Sequence, residues 1–139
     1  MSDQYNLQRF VRAQQPVFDI VGEELSAGRK RSHWMWFIFP QIQGLGHSEM
    51  ASRYAISSLD EAKAYLAHPL LGQRLLDCSG LVAAVDGRTI EDIFGFPDYM
   101  KFQSSMTLFA QATLDNQIFN ECLRKYFDGE SDQSTLSRL

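Results

Sequence analysis

The sequence predicts an all-α fold: a single irregular multi-helix domain over residues 1–139 with no sizeable sheet. Three observations lead there. Apolar residues recur at helical spacing in most segments. Capping residues and glycine stops bracket those segments. No stretch longer than about four residues alternates cleanly between apolar and polar side chains, as a half-buried strand would. The helices are short and the breaks many, so an irregular array is expected rather than a regular four-helix bundle.

Asn6 is placed to cap a first helix, with Leu7, Phe10 and Val11 at helical spacing. Pro16 suits the first turn of a second helix, whose stripe is Val17, Ile20, Val21 and Leu25 and whose stop is Gly28. The two pieces could equally be one helix kinked at Pro16. Trp34 to Phe39 has no period, and only Ile38 is β-branched, so a short buried helix ending before Pro40 is expected. Gly44-Leu45-Gly46 is a loop, and Ser48 can cap a short segment from Glu49 to Ala55. Ser58 with Glu61 forms a capping box that opens a helix ending near Ala67. His68-Pro69 breaks it and starts another, with Leu71, Leu75, Cys78, Val82 and Val85 inward and Asp86-Gly87 as its end.

Thr89 to Asp92 places acids in a first turn, which fits a short helix to Phe94. Pro97-Asp98 opens a long helix through Phe102, Met106, Phe109 and Ala110. Asp115 or Asn116 caps the next, with Ile118, Phe119, Cys122, Leu123 and Tyr126 inward and Gly129 closing it; Ser134 is placed to cap a final turn. Phe37, Ile38, Leu75, Val82, Phe109, Phe119 and Leu123 are the predicted core.

A chain of 139 residues, 45% hydrophobic and 22% charged, can fold as one domain without disulfides or metal. Its net charge of −4 makes it a poor general binder of nucleic acid or of an anionic membrane. The start, Met1 to Asn6, is polar, and the longest apolar run is Trp34 to Phe39, far short of a membrane span. A cytoplasmic protein without a membrane partner is therefore expected. In that reducing compartment Cys78 and Cys122 read as buried small hydrophobes.

Much familiar chemistry finds no support. No His stands four residues from another His or near a Cys, so no metal site is expected, and no cofactor motif is present. His68, at a helix junction, reads as structural. There is no GxSxG and no phosphate-binding GxxxxGK[ST].

Two stretches mix polar donors with large apolar groups. In the first, Arg29, Lys30, Arg31, Ser32 and His33 run directly into Trp34 and Trp36. Donors beside a dry aromatic wall suit an anion or nucleotide pocket; a solvated basic loop leading into a core segment is the plain alternative. In the second, Lys101, Ser104 and Ser105, with Thr107 alongside, overlap one side of a helix and could bind an oxyanion. Alternatively, the hydroxyls bond the preceding helical turn.

These residues also carry a resemblance. Asn6-Leu7-Gln8-Arg9-Phe10, the run from Gly28 through Lys30-Arg31-Ser32-His33-Trp34-Met35-Trp36 to Gln41, Glu91-Asp92-Ile93-Phe94-Gly95, and Asp98 with Lys101-Ser104-Ser105-Met106 resemble the bacterial domain-of-unknown-function family 1810. The resemblance covers nearly the whole chain. It implies a small all-α fold and no established reaction. Members are sometimes labelled calpastatin, yet calpain-inhibitor segments are disordered and proline-rich, whereas 4 Pro and a 45% hydrophobic fraction suit a packed core.

The function expected is binding of, or action on, a small anionic ligand, nucleotide-like or phosphorylated. Arg29, Lys30 and Arg31 supply charge, Ser32, Lys101, Ser104 and Ser105 supply donors, and Trp34 and Trp36 wall the pocket. His33 is the proton-transfer candidate, since imidazole titrates near neutrality. The alternative is a non-enzymatic interaction module whose aromatic run faces a protein partner.

Overall fold

The structure, a computed structural model, describes residues 3–139; Met1 and Ser2 of the polar start lie outside the described residues. These form ten helices and no sheet, with one isolated parallel bridge between Ile42 and Ile56. The first two helices, α1 (Gln8–Gln14) and α2 (Phe18–Ser26), are separate. Asn6 does not cap α1: it adopts φ +51°, a left-handed conformation that Asn tolerates better than most residues, and so makes the entry turn. The Asp3 carboxylate takes the free N–H groups of Leu7 and Gln8 instead, at 2.7 and 2.9 Å. Those two bonds hold its pKa below the ordinary aspartate value.

In α2, Val21 and Leu25 are buried but Ile20 is 43% exposed. Ile20 lies about 100° around the helix from Val21 and further from Leu25, so it misses their face. Gly28, at φ +73°, stops the helix as the sequence suggests. The aromatic run forms the short buried α3 (Met35–Ile38) and ends before Pro40.

Ser48 caps α4 (Glu49–Arg53) through its hydroxyl oxygen. Ser58 caps α5 (Leu59–Ala67) by accepting the Glu61 N–H, but Glu61 does not complete the box. Its carboxylate turns to Ser57, accepting the backbone N–H and the hydroxyl at 2.9 and 2.7 Å, and to Arg9 at 3.0 Å. Arg9 also donates to the carbonyls of Tyr5, Asn6, Arg53 and Ala55, so one guanidinium satisfies the acceptors of two chain turns.

His68 Nδ1 accepts from the N–H groups of Leu70 and Leu71, at the start of α6 (Leu71–Ala84). Thr89 and Asp92 make a reciprocal capping box on α7 (Ile90–Phe94). The long helix is α8 (Asp98–Ala112), followed by α9 (Gln117–Phe127) and α10 (Gln133–Leu136). Asn116 stands at the N-cap of α9 without capping it by side chain; its amide donates to the Ala110 carbonyl and closes the α8–α9 corner. Asp132, not Ser134, caps α10: only its carboxylate reaches the Thr135 N–H.

Helix α8 is the centre of the domain and packs against α5, α7, α9 and α10. Nine of its residues are buried, so it has little solvent face. Two of its buried hydroxyls face the preceding turn: Thr107 donates to the Gln103 carbonyl, and Ser104 shares its one proton between the Met100 carbonyl and the Asp132 carboxylate, each 3.1 Å away. All seven predicted core residues are buried. Cys78 and Cys122 are free and buried, and burial pushes both thiols up to about 12. Among the described residues no helix is long and apolar enough to cross a membrane.

Candidate functional site

The basic run is organised by a residue on α2. The Glu24 carboxylate accepts from the N–H groups of Arg31 and Ser32 at 2.8 and 3.0 Å, from the Ser32 hydroxyl at 2.6 Å and from Trp34 Nε1 at 2.9 Å. Burial works to raise the Glu24 pKa, and these four bonds outweigh it, holding the group below its ordinary value. Ser32 and the Trp34 indole are thereby committed to the fold. Arg29, Arg31 and His33 are exposed, and among the described residues their side chains make no hydrogen bond or ion pair.

The two stretches singled out in the sequence meet at Asp98. Lys30 Nζ lies 2.9 Å from one of its oxygens and Lys101 Nζ 3.4 Å from the other. Lys30 also sits over the Trp34 ring and Lys101 over the Trp36 ring, at 5.3 and 5.5 Å from the centroids. The result is an alternation of cation and indole, with one carboxylate between two ammonium groups. Ser104 donates to Asp132 at 3.1 Å, and Ser105 is fully buried with no partner for its hydroxyl.

Beside this cluster two depressions adjoin, sharing Gln41 and Gly46 as a common wall. The larger, about 560 Å³, lies between the 41–47 loop, α4 and the last residues of the chain. Its polar lining includes Gln41, Gln43, His47, Ser52, Tyr54 and Arg138, and Trp36 is one wall. The smaller, about 240 Å³, is lined by Lys101, Ser104 and Asp132, with Pro97 and Met100. The bridge from Ile42 to Ile56 anchors the loop, with the Gln43 N–H on the Ile56 carbonyl and the Ile56 N–H on the Gln41 carbonyl, both at 2.8 Å.

Gly44 lies in that loop at φ +95°, and a Cβ there would fall 2.6 Å from Arg138 Nη1. The backbone angle favours glycine, and the close approach is to the far end of a long, exposed side chain that can shift. No Asp or Glu lines the larger cleft, although the chain has 17 of them. A third depression, about 430 Å³, lies at Asp3, Tyr5, Gln8 and His68, where Asp3 and His68 already serve as helix caps.

Of the residues expected from sequence, Trp36 lines the larger depression, and Lys101 and Ser104 line the smaller. Arg29, Lys30, Arg31, Ser32, His33 and Trp34 line neither. His47, Gln43 and Arg138 were not found by sequence reasoning. The Gly44-Leu45-Gly46-His47 loop was a visible signal for the first two; nothing local marked Arg138. Among the described residues no group of three or more His, Cys, Asp or Glu is placed to hold a metal ion.

A family profile described as "Protein of unknown function (DUF1810)" matches residues 4–139. The chain belongs to that family. The crystal structure of the conserved hypothetical protein Rv1873 from Mycobacterium tuberculosis, at 60% sequence identity, matches with a TM-score of 0.98 over 99% of this chain and 98% of that one. Family 1810 thus has this all-α architecture in a solved relative as well. No curated protein matches the chain.

Proposed function

We propose that this member of family 1810 binds a small anion carrying a planar ring, nucleotide-like or phosphorylated, in the cleft walled by Trp36. The observation that carries this is the lining. In a chain of net charge −4, this cleft holds an arginine, a histidine, two glutamines and an indole, and no carboxylate. Its volume suits a small organic ligand. A base can lie against Trp36, whose ring is polarised by Lys101. The amides of Gln41 and Gln43 can read the ring's edge.

His33, the proton-transfer candidate, does not line the cleft, so the reading is one of binding. The alternative of a partner surface on the aromatic run has less to work with, because Trp34, Phe37, Ile38 and Phe39 are buried.

The test is a thermal-shift panel of AMP, ADP, NAD and sugar phosphates, followed by titration of tryptophan fluorescence. At 100 times its dissociation constant a ligand adds about 2.7 kcal/mol of stability. Lys101→Met keeps the stem and removes the charge; it is expected to weaken binding and leave the free protein folded. A panel in which no anion raises the melting temperature sinks the reading.

A further inference from the structure

We infer that Arg138 is the charge partner of the bound anion, held ready by the Asp132–Leu139 segment, which Ser104 and Thr107 fasten to α8. The inference rests on the binding reading above and assigns it a residue and a positioning device.

The first support is what Arg138 lacks. The other cation lining the paired depressions, Lys101, is matched by Asp98. Two half-buried arginines are also matched, Arg9 by Glu61 and four carbonyls, and Arg74 by the Gln14 and Gln15 side-chain oxygens. Arg138 is exposed, as Arg29 and Arg31 are, and differs from those two in lining the cleft. The Arg138 guanidinium lies against Gly44 in the larger cleft, and among the described residues no oxygen accepts from it. A planar fork with five donors and no acceptor, in a cleft free of carboxylates, is suited to an incoming oxyanion.

The second support is how the segment is fixed. The Asp132 N–H donates to Thr107 Oγ1 at 2.9 Å, and its carboxylate accepts from Ser104 Oγ at 3.1 Å and Thr135 Oγ1 at 2.6 Å. Gln103 Nε2 donates to the Glu130 carbonyl at 3.0 Å. Thr135 is fully buried, and the Arg138 N–H closes on its carbonyl at 3.0 Å. Two side chains of α8 thus hold the segment before any ligand arrives, a third, Gln103, holds the residues just before it, and an anion need not order the segment. Ser104 is on this account a positioning residue, acting through Asp132.

The experiment uses the full chain with ADP as probe and inorganic pyrophosphate as its ring-free comparison, measured by calorimetric titration. Arg138→Gln is expected to weaken ADP binding about tenfold to a hundredfold, the loss of a charge-assisted bond, with the unliganded melting temperature unchanged. Arg124→Gln removes the same charge from an exposed position on α9 and is expected to leave binding as it was. Asp132→Ala is expected to weaken binding and to speed hydrogen exchange of the amides after residue 132. Arg138→Gln binding ADP as tightly as the parent overturns the inference and leaves the Trp36 cleft standing as a binding site. Equal losses in Arg138→Gln and Arg124→Gln overturn it too, by showing a diffuse charge effect. Tight binding by Asp132→Ala removes the fastening. A parent chain that binds neither probe overturns this inference, and failure across the wider panel overturns the cleft reading with it.

Discussion

The indole Nε1–H of Trp34 donates to Glu24 Oε1 at 2.9 Å, joining the most apolar segment of the chain to a carboxylate ten residues earlier. The same carboxylate takes three further donors from Arg31 and Ser32. The turn between α2 and α3 is therefore built around one negative charge; Arg29 and Arg31 are left to project outward, while Lys30 turns in to Asp98 and the Trp34 ring.

That arrangement makes the turn sensitive to acid. Glu24 titrates below its ordinary value of 4.5 when folded, so its contribution is complete above 4.5 and is lost as pH falls through the lower folded value. The Trp34 indole proton resonance is expected to move with a midpoint below 4.5, and Glu24→Gln to abolish that titration. A resonance unmoved between about pH 6 and about pH 3, a range spanning the carboxylate values, would contradict the hub.

Two glycines inside α6 should respond oppositely to alanine. A Cβ on Gly72 would fall 2.1 Å from the Leu66 carbonyl oxygen, whereas one on Gly80 meets nothing within 4 Å. Gly80→Ala is expected to stabilise by about 0.5–1 kcal/mol through helix propensity. Gly72→Ala should destabilise by roughly 1–3 kcal/mol, because backbone must move and the propensity gain does not offset it. Urea denaturation of both variants checks the sign, and a stabilised Gly72→Ala would show that α5 and α6 are less closely packed.

Phe109 lies fully buried on α8 between Tyr65 and Phe119, with ring centroids at 5.3 and 6.1 Å. Phe109→Ala is expected to cost about 3–5 kcal/mol. A loss under roughly 0.5 kcal/mol, the surface range, would remove Phe109 from the core.

With both thiols pushed up to about 12, Cys78 and Cys122 are almost wholly protonated at neutral pH and shielded from reagent. A disulfide-exchange reagent is expected to modify neither in the native protein and both in denaturant. Rapid native labelling would mean that α6 and α9 separate readily.

Caps and stripes made the helices legible, because a hydroxyl three residues before an N–H and an apolar repeat are local properties. The departures came where distant groups competed for those caps. Glu61 left its own N-cap for Ser57 and Arg9, and Asp3 took over the capping first assigned to Asn6. The candidate site was half legible for the same reason. Trp36 and Lys101 stood out by composition, but Ser32 and Trp34 were claimed by Glu24, which the sequence shows only as one acid among several on α2. Arg138 reaches the 41–47 loop from the other end of the chain, and no spacing rule links Gly44 to it.

The burial of α8 on nearly every side bears on the order in which the chain leaves the ribosome. Everything before Asp98 emerges without the helix it packs around. During that interval Tyr65 of α5 lacks Phe109, and Phe39 and Phe94 lack Phe102, their neighbours in the finished core. At roughly 5–20 residues per second, the fifteen residues of α8 take about one to three seconds to appear. A nascent chain paused before Asp98 presents an open apolar trough, so slow codons in that stretch would prolong its exposure to chaperones and to other unfinished chains.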